Sequence, residues 1–377
     1  MTETVTAAYV HVPFCIHRCG YCDFTVIADR DDLLEIYLDC MEQELKRELI
    51  QPHEVNTLFI GGGTPNYLPA KHLERLLKLL RDWLPLTSDA EFSMECNPED
   101  FTSDRMKVMS DYGINRVSLG VQSFTDAHLK TLERGHKPEV VEDVVQRLRD
   151  YGFTNLGFDL IYAVPAQTIL EWEQTINAAI ALSPQHLSTY GLTYEKGTSF
   201  WTRRMKNNLL QAEEELERSM YALAMEKLEQ AGFKQYELSN YAQPDFQCQH
   251  NQIYWNAKPY YGFGPGAAFY LDDVRSTRYR SVTGWIKKVQ AKESTISSNE
   301  TLDRDLAARE AVMLGLRQIA GLDTKSYEAR FEMSVRDLAV DAYDEFLETG
   351  LLELSEGHLR LSYEGRFLAD TVVAEFL

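Results

Sequence analysis

The chain has 377 residues, of which 44% are hydrophobic and 11% aromatic. That is enough apolar surface for a large core and too much for a disordered or fibrous protein. Its 58 Asp and Glu against 38 Lys and Arg leave a formal net charge of -20, so nucleic acid is not an expected partner, because affinity for a phosphate backbone comes from clustered cations.

The N-terminus, MTETVTAAYVHVPFC, lacks the basic stretch and apolar run of a signal peptide. No apolar run approaches the roughly 20 residues that span a bilayer. A cytoplasmic protein without a transmembrane segment is expected; peripheral membrane contact and a homodimer stay open. The length predicts one large domain and a small one.

Apolar runs predict strands at 7–12, 55–61, 90–96, 116–122, 155–164 and 186–194, with helical spacing between them at 33–49, 72–84, 104–113, 140–152 and 168–182. Strands alternating with helices favour a parallel sheet, and six such units suffice to curl one into a partial barrel; a doubly wound open sheet has the same periodicity. In a barrel the chemistry sits where strands end. Glu95 and Gln122 fall at strand ends and Asp159 lies inside the fifth strand. A long acidic helix (211–233) and a strand-like stretch (234–242) follow, and then QCQHNQIYWNAKPYYGFGPGAAFY (247–270), rich in aromatics and glycine and without regular periodicity. Helical patterns at 304–320 and 335–350 lead into LLELSEGHLRLS, two strands around a Glu-Gly turn, and a last helix. This predicts a small winged-helix-like α+β domain at 301–377, behind a core at 1–242 and a connecting region at 243–300.

Of six cysteines, Cys15, Cys19 and Cys22 share one short loop directly after the first strand. Thiolates converging this closely are soft ligands for zinc or an iron-sulfur cluster. A zinc site would recruit His11 or His17 as its fourth ligand. A cubane cluster on three cysteines would instead leave one iron free to bind a ligand. The glycine run Gly61, Gly62, Gly63 with Thr64 and Pro65 follows the second strand, where missing side chains let backbone approach a ligand.

The pattern C-x3-C-x-aromatic-C, present as Cys15, Cys19, Tyr21 and Cys22, resembles the signature of the radical S-adenosylmethionine superfamily. The resemblance implies a [4Fe-4S] cluster whose fourth iron is chelated by the amino and carboxylate groups of S-adenosyl-L-methionine, with Tyr21 beside the adenine. The segments YVHVPFC, GGGTP, SMECNP, RVSLGVQSF, FDLIYAVPAQT and QCQHNQIYW, in that order, are similar to the family of oxygen-independent coproporphyrinogen III oxidase, which also contains heme chaperones. That likeness implies a partial (βα)6 barrel of radical SAM type. It assigns cofactor contacts to Tyr9, Gly62, Gly63, Thr64, Glu95, Gln122, Arg134 and Asp159.

Within the family the oxidase carries a further cysteine where this chain has Phe24, and a longer segment before the first strand. Both departures point to the chaperone branch, with heme and heme-acceptor proteins such as respiratory enzymes as partners; radical oxidative decarboxylation of coproporphyrinogen is the alternative. His250 stands in an H-N-x-x-Y-W motif. An exposed imidazole among Tyr254, Trp255, Tyr260 and Tyr261 would suit heme ligation, and Cys248 offers another ligand. The competing reading is a structural segment in which His250 is hydrogen-bonded and the aromatics fill core. The family pattern has a histidine where Ala268 stands here.

Overall fold

The computed structural model describes residues 4–377. Six parallel strands stand side by side in chain order: β1 (Ala7–Val12), β2 (Val55–Gly62), β3 (Leu86–Cys96), β4 (Arg116–Gln122), β5 (Leu156–Tyr162) and β6 (His186–Gly191). The crossovers carry helices α1 (Leu34–Leu49), α2 (Ala70–Trp83), α3 (Ser103–Asp111), α4 (Pro138–Asp150) and α5 (Ile169–Ala181), and α6 (Glu214–Gln230) packs on α5. The packing follows from spacing: on α2, Leu73, Leu76, Leu77 and Leu80 form one fully buried stripe. Helix α5 opens with the Thr168 and Glu171 capping box.

A doubly wound sheet reverses its strand order at a switch point. This one never does, and residues of β2 and β6 line the same cavity, so the sheet is curled. The barrel is partial because β1 and β6 do not meet. Tyr261–Phe263 pairs in parallel outside β1, while Asn240–Ala242 and then Lys234–Gln235 extend the sheet antiparallel beyond β6.

The stretch predicted as irregular is regular. It contains helix α7 (Gln249–Trp255) and the added strand Tyr261–Phe263, and it runs into Ala268–Leu271, the first strand of a three-stranded antiparallel sheet completed by Val274–Arg278 and Ile296–Thr301. Helix Val282–Gln290 packs against α1. What orders this stretch is a fully buried carboxylate. Glu44 of α1 accepts from the Gly264 amide (2.8 Å), Trp285 Nε1 (2.8 Å) and Thr295 Oγ1 (2.7 Å), with the Arg278 guanidinium at 3.2 Å. These partners are far apart in sequence, so periodicity could not announce them.

The C-terminal part builds a second hydrophobic core around Val312, Leu316, Tyr327, Phe346, Leu359 and Phe376. Its order is helix Arg304–Gly315, strand Leu322–Asp323, helix Thr324–Phe331, two further helices, and the hairpin Leu352–Ser355 with His358–Leu361. That is the predicted winged-helix-like plan. Glu356 and Gly357 turn the hairpin with positive φ of 52° and 83°, as a tight two-residue connection requires. The helix predicted over 335–350 is two helices, Val335–Leu338 and Val340–Glu348, because Ala339 is extended (φ -156°). Among the described residues no helix is long and apolar enough to cross a membrane.

Candidate functional site

The cysteine loop leaves the end of β1 and is pinned at both ends, because Phe14–Cys15 pairs in parallel with Ile27–Ala28. Inside it the Cys22 amide donates to the Cys19 carbonyl (3.1 Å). Gly20 fits where nothing larger would, since a Cβ there would lie 2.3 Å from the Phe200 ring. The three thiols face one cavity of about 470 Å³ at the carboxy-terminal ends of the strands, where barrel chemistry is expected.

Burial pushes the Cys15 thiol up to about 12, against a lowering by the Thr64 hydroxyl, and burial also raises Cys22. These thiols hold their protons until a metal displaces them. His11, one of the two candidate fourth ligands for zinc, has both ring nitrogens engaged, by the Tyr9 hydroxyl (3.0 Å) and the Thr25 carbonyl (2.7 Å). Three soft donors on one wall, with open volume in front of them, fit a larger cluster with one iron left for a ligand.

A hydrogen-bonded chain joins two of the cysteines. The Thr64 hydroxyl stands between Cys15 Sγ (3.3 Å) and Asn97 Nδ2 (2.8 Å), and Asn97 Oδ1 accepts from Arg134 Nη2 (2.6 Å). Arg134 also donates to the Gly120 carbonyl (3.0 Å) and, through Nη1, to Cys19 Sγ (3.8 Å). Asn97 is itself clamped, exchanging two 2.9 Å bonds with Asn66.

Across the cavity stand Glu95 and Asp159. Glu95 accepts from the Gly62 amide (2.9 Å), yet burial pushes its carboxyl up to about 7; burial raises Asp159 as well, with Ser118 Oγ 3.3 Å from both of its oxygens. Arg116 and Arg134 both line the cavity, and the Nε of each is buried without a partner. A buried donor left unpaired is costly. Two guanidiniums and two carboxylates in one hollow complement a zwitterion, an amino acid moiety carrying both charges. The backbone beside them packs too closely for side chains: Gly62 has φ +107°, and a Cβ on Gly63 would lie 2.7 to 2.8 Å from the carbonyl oxygens of Phe14 and Val12, so the glycines let this segment sit against the entry of the cysteine loop.

Of the residues predicted from sequence, Cys15, Cys19, Tyr21, Cys22, Gly62, Gly63, Thr64, Glu95, Gln122, Arg134 and Asp159 all line this cavity. Gln122 does so at a bulge, in the left-handed region at φ 64°. Tyr9 stands behind the wall. Its hydroxyl meets His11 Nδ1 (3.0 Å) and its ring stacks on Phe59, which does line the cavity.

His250 corrects an expectation. It is 1% exposed, Nδ1 lies 2.8 Å from Thr57 Oγ1 and Nε2 2.7 Å from the Tyr254 hydroxyl, and the ring stacks on Phe59 at 5.2 Å. Burial draws its pKa down to about 3. The exposed imidazole predicted for heme ligation is therefore a core group with both nitrogens engaged, and Cys248 is buried with its thiol 3.4 Å from Glu91. The cause is Glu91 on β3, which accepts from the amides of Gln249 (2.8 Å) and His250 (3.2 Å). It draws the first turn of α7 into the lower end of the barrel, where a carboxylate suits a helix N-terminus. Helix α7 is thus the cavity's floor, and its Asn251 reaches the cavity. Sequence reading missed Asn251, Asn97, Arg116 and Ser118. Arg116 and Ser118 carry a signal in hindsight, being polar positions two apart on β4 that pair with Ser93 and Glu95 of β3.

Comparison with known proteins agrees with this geometry. The radical SAM superfamily model matches residues 9–179, and the HemN C-terminal domain model matches residues 302–368. The heme chaperone HemW of Bacillus subtilis (strain 168) is 34% identical over 375 residues, 98% of this chain and 99% of the relative. The heme chaperone HemW of Lactococcus lactis is 33% identical, covering 100% and 98%. Among solved structures, coproporphyrinogen III oxidase (HemN) from Escherichia coli, a radical SAM enzyme, superposes with a TM-score of 0.87 at 25% identity, over 99% of this chain and 90% of that one. Radical SAM membership implies a [4Fe-4S] cluster and S-adenosylmethionine, and the thiols and zwitterion-complementary groups of the cavity fit both. The chain belongs to the heme chaperone HemW family of the radical SAM superfamily.

Proposed function

We propose that this chain is a heme chaperone: it holds a [4Fe-4S] cluster on Cys15, Cys19 and Cys22 with S-adenosylmethionine beside it, binds heme, and delivers heme to acceptor proteins such as respiratory enzymes. The end-to-end likeness to HemW proteins carries the reading. Phe24 supports it over the oxidase, since it stands 60% exposed on the cavity wall where the oxidase pattern has a cysteine. When bound, the cluster would supply one-electron chemistry at its open iron.

Around it this chain's own groups divide the work. The Gly62 and Gly63 backbone and Thr64 meet the methionyl end, Arg134 meets its carboxylate, and Glu95 and Asp159 accept from its amino group or the ribose hydroxyls. Gln122 meets a polar edge and Tyr21 the adenine, while Tyr9 supports the wall through Phe59. The heme ligand is not assigned to His250, whose nitrogens are both engaged. A cytoplasmic location belongs to the same proposal.

The test is anaerobic reconstitution with iron and sulfide, followed by heme titration, transfer to an apo-acceptor, and a porphyrinogen assay. Heme binding and transfer without decarboxylation are expected. Decarboxylation of coproporphyrinogen that requires S-adenosylmethionine would replace this reading by the oxidase.

A further inference from the structure

Beside the cysteine cavity lies a second hollow of about 360 Å³, and Asp23, Phe24 and Val26 wall both. Arg18, Lys196 and Arg280 line it, and all three are exposed. Arg18 donates only to the Cys22 carbonyl (3.3 Å), and Arg280 to the Asp23 carbonyl and the Thr25 hydroxyl. Among the described residues none of the three forms an ion pair with a carboxylate, and the Lys196 ammonium has no hydrogen-bond acceptor at all. In a chain with a net charge of -20, where acidic side chains outnumber cations, three cations left unpaired around one hollow are arranged for an external anion. Ser281, the N-cap of helix Val282–Gln290, adds the positive end of a helix to the same wall.

In the main cavity the two guanidiniums share their space with the carboxylates Glu95 and Asp159, and Arg134 also has Glu99 at 4.0 Å. What distinguishes the smaller hollow is its boundary. Phe24 presents an open aromatic face between unneutralised cations on one side and the cysteine cavity on the other. A ligand fitting that boundary is flat and apolar with carboxylates along one edge.

We infer that the hollow seats the propionate carboxylates of heme on Arg18, Lys196 and Arg280, with the macrocycle lying over Phe24 toward the cysteine cavity. This rests on the heme-chaperone reading and gives it a binding geometry that does not use His250. Guanidinium and ammonium groups make charge-assisted bonds to carboxylates, among the stronger hydrogen bonds available in water. Asp23 is the one acidic side chain lining the hollow.

The decisive experiment titrates hemin and hemin dimethyl ester, whose propionates are blocked, into the anaerobic cluster-loaded full chain and follows the Soret band. Lys196→Glu is the cleanest variant, since Lys196 holds no other contact. It should weaken hemin binding at least about tenfold, the scale of one lost charge-assisted bond, while cluster absorbance and S-adenosylmethionine binding stay unchanged. The ester should bind the unaltered chain more weakly than hemin does and respond less than twofold to the variant. Hemin affinity within twofold of the unaltered chain in Lys196→Glu and in Arg280→Gln would overturn the proposal, as would an ester that binds as tightly as hemin. If the unaltered chain bound no hemin at all, the chaperone reading would fall with it, a result distinct from hemin that binds and ignores the hollow.

Discussion

Two carboxylates stand four residues apart on the same face of β3 and have opposite fates. Glu91, at the lower end of the barrel, accepts from the Gln249 and His250 amides and from Ser93 Oγ, and holds the Cys248 thiol. Glu95, at the upper end, accepts from one backbone amide and stays perturbed, its carboxyl pushed up to about 7 by burial. The same contrast separates Cys248 from the cysteine loop, and His250 from the partnerless nitrogens of Arg116 and Arg134. Residue type does not distinguish a plug from a binding site; unspent hydrogen-bonding capacity does. Glu91 at the lower end is spent on contacts within the protein, and Glu95 at the upper end keeps capacity for a ligand.

The widest test of that contrast is cluster assembly. Alanine at Cys15, Cys19 or Cys22 should abolish iron and sulfide uptake, whereas Cys248→Ala should leave it intact; loss of the cluster in Cys248→Ala would break the division between the two ends. Next in size, Glu91→Ala strands the buried His250 amide, frees the Gln249 amide and removes a charge facing Arg116. It should cost about 3 kcal/mol or more in denaturant unfolding, and a loss below about 1 kcal/mol would mean the plug does not depend on its carboxylate. His250→Ala should cost about 2 to 4 kcal/mol through lost hydrogen bonds and a cavity.

Glu95→Gln acts through pH. Because burial lifts the Glu95 carboxyl from 4.5 to about 7, the folded chain keeps a proton that the unfolded chain has released. Its contribution to stability is therefore complete below pH about 4.5 and is lost as pH rises toward about 7. The variant should flatten that slope; with Glu95 holding S-adenosylmethionine as proposed, binding should climb with pH in the unaltered chain as Glu95 ionises and should become weaker and less dependent on pH in the variant. Smallest is Asn251→Ala, with a stability change under about 1 kcal/mol. A larger loss would place Asn251 with the plug rather than with the cavity.

Much of this was legible from sequence for a physical reason. Strands covered on both faces read as continuous apolar runs, so β1, β2 and β4 were predicted within a residue, and polar groups interrupting such runs, such as Glu95 and Asp159, mark the cavity. The cysteine loop is local and announces itself by spacing. Helix α7 is the opposite case. Its segment QHNQIYW has no amphipathic stripe, because it is enclosed by polar contacts supplied by Thr57 and Glu91, and a residue's exposure is set by such distant partners. Glu44 failed to signal the ordering of residues 264–295 for the same reason.

The pairing of β1 with Tyr261–Phe263 also sets an order of events during synthesis. The barrel strand made earliest pairs on one edge with β2 but waits on the other for a partner made late in the chain, and Thr57 and Glu91 wait likewise for His250. Contacts so distant in sequence form slowly and leave surface exposed meanwhile. We expect nascent chains halted at residue 242 to be cut by protease within β1 and β2, and chains extended past residue 300 to resist; equal resistance in both would contradict this. Because the cysteine loop continues directly from β1, we expect cluster loading to follow completion of the barrel floor.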